Sequence, residues 1–121
     1  MAGYATPSGS CGQQSATDFW TYRWMGGTIR ARLLDVSLAP DPNYNWGQWG
    51  QASIRIDLVG RDGKNKASNT LYKTWGVLPA YKTFVFWNVA QEVRFRCRAS
   101  VPSYPWGAGA WVNFKMEFSW G

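Results

Sequence analysis

The chain has 121 residues, with nine tryptophans, no histidine, and 13 Lys/Arg against 7 Asp/Glu for a net charge of +6. That length bounds one domain with one modest core, and no apolar run approaches the roughly 20 residues that cross a bilayer. The absence of histidine removes the commonest general base and the commonest metal ligand, while a basic balance favours anionic partners.

Residues 1–18, MAGYATPSGSCGQQSATD, are small, polar and without periodicity. They are expected to form an extended arm with a free tip rather than a packed element. The body is expected to span residues 19–121. Phe19 to Trp24 sets Trp20, Tyr22 and Trp24 on one face, and Gly26-Gly27 breaks the run. Thr28 to Ala39 begins with Ile29, Ala31 and Leu33 in phase, then slips to Leu34, Val36 and Leu38, which predicts a bulge near Leu33-Leu34. Pro40-Asp41-Pro42 ends that strand.

Ala52 to Leu58 alternates Ala52, Ile54, Ile56 and Leu58 against Ser53, Arg55 and Asp57. Arg61-Asp62-Gly63-Lys64 predicts a tight turn, because Asp-Gly suits positive φ. Thr70 to Trp75 and the short aromatic Lys82 to Trp87 follow. Glu92 to Val101 directs Val93, Phe95, Cys97, Ala99 and Val101 inward and Glu92, Arg94, Arg96 and Arg98 outward. Ala110 to Trp120 closes the chain, with Val112, Phe114, Met116, Phe118 and Trp120 on one side. Seven strands at short spacing and no capped helical period predict an all-β, antiparallel seven-strand sandwich with Greek-key connections. A small closed β-barrel is the alternative.

Cys11 and Cys97 are the only cysteines, and a bridge between them closes a loop of 86 residues, worth on the order of 4 kcal/mol in the loop-entropy model. Such a bridge favours an oxidising compartment, hence a secreted protein. The start Met1-Ala2-Gly3-Tyr4 carries no leader, but it is compatible with one cleaved before Ala2 or Gly3. No Cys/His set with zinc spacing exists, so no metal and no cofactor are expected.

Binding chemistry gathers in two places. The loops PNYNWGQWG and VPSYPWG carry Tyr44, Trp46, Trp49, Tyr104 and Trp106 among Asn, Gln, Gly and Pro. Their rings suit stacking on a sugar or a partner side chain, or folding back as lids over the sandwich. Arg94, Arg96 and Arg98 recur at a period of two, as do Arg30 and Arg32, with Arg55 in similar alternation. If their strands pair, these guanidiniums make one cationic face that either takes an anionic or aromatic cover or stays solvated.

Catalysis lacks a motif. The acids Asp18, Asp35, Asp41, Asp57, Asp62, Glu92 and Glu117 sit among basic residues or at turns, where ion pairing is the simpler account. Serine or cysteine nucleophiles have no histidine base, and composition alone leaves only a Ser-Lys arrangement open. The chain is therefore expected to be non-enzymatic. A protein-interaction adaptor with a larger secreted partner leads. A lectin-like module for a glycan follows, then a membrane-active toxin and a single-stranded nucleic-acid binder.

The start Gly3-Tyr4-Ala5-Thr6-Pro7, the Cys11/Cys97 pair and the closing Phe118-Ser119-Trp120 resemble small secreted Trp-rich β-sandwich proteins of actinobacteria, including the linking subunits of umbrella toxin particles. The resemblance implies a non-enzymatic linker between a stalk and a lectin-like subunit, part of an extracellular toxin assembly.

Overall fold

The computed structural model describes residues 3–12, 17–18, 21–38, 51–74, 76–84, 91–100 and 111–120. They form ten strands: β1 (Gly3–Ala5), β2 (Ser8–Gly12), β3 (Thr17–Asp18), β4 (Arg23–Met25), β5 (Ile29–Leu38), β6 (Gln51–Gly60), β7 (Asn65–Thr74), β8 (Lys82–Phe84), β9 (Gln91–Ser100) and β10 (Trp111–Trp120). The first sheet runs β1-β10-β5-β8, with β2 also on β10; the second runs β3-β9-β6-β7, with β4 also on β9. The protein is thus a sandwich of two antiparallel sheets and not a closed barrel.

β1 and β2 share one edge of β10, and β3 and β4 share one edge of β9. Ten strands therefore occupy eight positions, four in each sheet, rather than the expected seven. Taken in chain order, the first position pairs with the eighth, the second with the seventh, the third with the sixth and the fourth with the fifth. That is one long antiparallel hairpin rolled over on itself, the strand order of a jelly roll, which contains two Greek keys.

Period-two alternation builds the core. Ala52, Ile54, Ile56 and Leu58 from β6 meet Val93, Phe95, Cys97 and Ala99 from β9, all buried. Opposite them stand Ile29, Ala31, Leu33 and Val36 from β5 and Val112, Phe114, Met116 and Phe118 from β10. Phe118 joins the layers, its ring stacked on Phe95 at 4.7 Å and tilted against Phe84 at 5.9 Å. The phase slip in β5 is a bulge: Leu33 faces Met116 and Asp35 faces Lys115, leaving Leu34 as the extra residue. The turn after β6 holds Gly63 at φ 78°. Asp62 Oδ1 there accepts from the Lys64 N–H at 3.0 Å.

The N-terminal segment departs from expectation. Its residues 3–5 and 8–12 form a paired edge of the first sheet, not an unpacked arm with a free tip. An edge strand of small residues is held by backbone bonds, which leave no apolar period in the sequence. Gly3 packs so tightly under Trp120 that a Cβ there would lie 2.2 Å from its ring. Pro7, which has no N–H to give, interrupts the strand, and its carbonyl accepts from Met116 N at 2.8 Å.

Cys11 on β2 and Cys97 on β9 form the disulfide, with a Cα–Cα distance of 6.0 Å. It crosses from one sheet to the other inside the core. We expect the Cys11→Ala/Cys97→Ala variant to lose about 4 kcal/mol of unfolding free energy, measured by urea titration; a loss below about 1 kcal/mol would contradict this.

Candidate binding face

The inward set on β9 forces Glu92, Arg94, Arg96 and Arg98 onto the outer face of the second sheet. On β6, Arg55 stands opposite Arg98, Asp57 opposite Arg96 and Val59 opposite Arg94. Directly opposed side chains on one sheet face sit about 5 Å apart at Cβ, so Arg55 and Arg98 form a like-charge pair. Arg55, Asp57, Arg96, Cys97 and Arg98 line a groove of about 300 Å³. Among the described lining residues three guanidiniums meet one carboxylate, and Asp18 on β3 stands across the ladder from Arg96. Asp57 accepts from Arg55 Nε at 3.3 Å and from Ser68 Oγ at 2.6 Å, and Ser68 Oγ accepts from Asn65 Nδ2 at 2.6 Å. Arg98 is exposed and makes no ion pair among the described residues. Arg96 is half-buried and interacts within the chain.

The expected single arginine face is corrected in two ways. Arg94 is only 7% exposed and engaged within the chain, so it is unavailable to a partner. Arg30 and Arg32 lie on β5, in the other sheet. Period-two spacing assigns a side of a strand, but not the sheet to which that strand belongs.

Arg32 serves a different cluster. Glu117, across from it on β10, accepts from Arg32 Nε at 3.1 Å, from the Tyr4 hydroxyl at 3.0 Å and from the Tyr81 hydroxyl. The Arg32 guanidinium also lies 4.3 Å from the centre of the Tyr81 ring. The Tyr81 bond, followed by those from Tyr4 and Arg32, holds the Glu117 carboxyl below the usual carboxylate range against the opposing effect of burial. The same bonds raise both phenols above the ordinary tyrosine value. This carboxylate is saturated by three partners from different elements, so its work is to tie those elements together.

Tyr44, Trp46, Trp49, Tyr104 and Trp106 lie outside the described residues. Other aromatics stand exposed: Tyr4, Trp24, Tyr72, Tyr81 and Trp111. Tyr72 and Tyr81 flank a second basin of about 350 Å³ between β7 and β8, with Lys82 Nζ 5.4 Å from the Tyr72 ring centre. Sequence patterning did not single out Tyr72, Tyr81 or Glu117 as site residues. Glu117 sits in the outward phase of β10, and only the register across to Arg32 and Tyr4 brings it into a cluster.

Among the described residues no group of three or more His, Cys, Asp or Glu could hold a metal ion, and no helix is long and apolar enough to cross a membrane. No family model and no curated protein matches the chain. Among solved structures it is similar to "Structure of infectious bursal disease virus Gt strain", with TM-score 0.32 and 12% identity over 98% of this chain and 32% of that chain. A likeness this distant carries no argument about function.

The Glu117 cluster makes a pH-dependent contribution. Its folded pKa is depressed, so the stabilisation is complete above the unfolded value of about 4.3. It disappears as pH falls through the lower folded value. In acid titrations followed by circular dichroism, we expect Glu117→Gln to be less stable than the wild type at neutral pH. The two should converge at low pH, whereas a constant difference down to full protonation would contradict the assignment.

Proposed function

We propose that the protein is a non-catalytic binding module that docks an acidic segment of a partner protein in the Arg55–Arg96–Arg98 groove. The observation that carries this reading is the like-charge pair Arg55/Arg98, set face to face by the β6–β9 register. Opposed like charges destabilise a sheet in isolation, and an anionic cover relieves that cost. Arg55 and Arg98 are both exposed and stand across the β6–β9 ladder from each other, and guanidinium forks take carboxylates in bidentate pairs.

The buried disulfide supports placing this module in an oxidising, extracellular setting. The resemblance to umbrella-particle linking subunits supports membership of an extracellular toxin assembly. β1 and β2 are paired with β10 and so do not serve as a free arm for a partner.

The test is an NMR titration with a peptide of alternating Glu and Thr. We expect shifts to cluster on residues 53–57 and 96–100. Affinity should fall as salt rises from about 0.01 M to about 0.15 M, which shortens the screening length from about 30 Å to about 8 Å. Arg98→Glu should weaken binding about tenfold or more. Shifts confined elsewhere, or equal binding by Arg98→Glu, would overturn the proposal.

A further inference from the structure

The outer face of the second sheet ends in a cup that the acidic-segment reading leaves unused. β4 pairs with β9 so that Trp24 lies opposite Glu92. The next residue, Met25, is fully buried, which turns Trp24 outward, and it is 53% exposed. A polar shelf adjoins the indole. Arg61 Nε donates to Glu92 Oε2 at 2.6 Å, and its guanidinium carbon lies 3.8 Å from the centre of the Tyr22 ring. Asp62 accepts from Lys66 Nζ at 2.8 Å and from the Lys64 N–H at 3.0 Å.

Trp24, Arg61, Asp62, Gln91 and Glu92 line a shallow, widely open cup of about 320 Å³, room for one ring lying on the indole. Gly60 keeps the shelf compact: a Cβ there would lie 2.7 Å from Lys66 Cε, 3.1 Å from Asp62 Oδ1 and 3.6 Å from Gln91 Oε1.

We propose that this cup binds a neutral pyranose, with the sugar's C–H face on the Trp24 indole and its hydroxyls on Gln91, Glu92 and Asp62. A strand-borne indole gives a rigid apolar plane of the right kind for a sugar ring. The shelf mixes donors (Arg61 and the Gln91 amide) with acceptors (both carboxylates and the amide oxygen). Hydroxyls, which donate and accept, suit such a lining. Each carboxylate is already matched by a cation, Glu92 by Arg61 and Asp62 by Lys66. No excess charge therefore remains to recruit an ion. Glu92 and Arg98 are about 20 Å apart along β9, so the cup and the arginine groove are separate sites on one face.

The test titrates isotope-labelled protein with the methyl glycosides of glucose, galactose, mannose and N-acetylglucosamine. The readout is the Trp24 indole N–H and Gln91 amide signals. At least one glycoside should shift both saturably. Trp24→Ala should weaken that binding about tenfold or more, and Trp24→Phe should retain part of it, with dispersed spectra showing that each variant is folded. Arg98→Glu should bind the sugar as the wild type does, which separates this site from the acidic-segment proposal. No saturable shift with any of the four, or unchanged binding by Trp24→Ala, would overturn the assignment.

Discussion

The register of β9 against β6 is the constraint on which the rest depends. Side chains on a strand alternate, and a slip of one residue exchanges the two faces completely. With Ile56 opposite Cys97 and Leu58 opposite Phe95, four apolar residues of β9 enter the core. The cost of exposing them fixes the register, at about 1.5–3 kcal/mol for each large side chain. The outer pairs then follow, Arg55 against Arg98 and Asp57 against Arg96, and Glu92 turns to the side on which the separate β4–β9 register sets Trp24. The binding chemistry is the reverse side of the packing.

The N-terminal edge is held by four devices. Backbone pairing to β10 runs along both β1 and β2. The Cys11–Cys97 bridge ties β2 across the core. Tyr4 reaches Glu117 on the outer side of the sheet, while Gly3 sits under Trp120. Edge strands invite pairing with other chains, and a strand secured in these ways resists exchange. The same edge, together with β3 and β4, completes the eight positions of the rolled hairpin.

What was legible in the sequence is what a side-chain period can encode. The bulge at Leu34 appeared as a phase slip, the β6–β7 turn as Asp62-Gly63, and the β9 core as Val93, Phe95, Cys97 and Ala99. The edge strand Gly3–Gly12 was invisible, because its small residues express backbone pairing and not burial. Arg94 looked identical to Arg96 and Arg98 by spacing, yet only the folded surroundings show that it is covered. Arg30 and Arg32 share the alternation of Arg55 but not its sheet, and strand order is a long-range property that local pattern does not hold. Trp24 stood out as an aromatic in sequence. Its value as a platform came from Met25 taking the inward position and from Glu92 lying across the ladder.

The most direct measurement is the set of interstrand nuclear Overhauser contacts between β6 and β9 in the oxidised protein. The account predicts backbone contacts linking Arg55 with Arg98, Ile56 with Cys97 and Asp57 with Arg96. A ladder displaced by one residue, with Asp57 against Cys97, would turn the arginines inward and contradict both the core and the binding face.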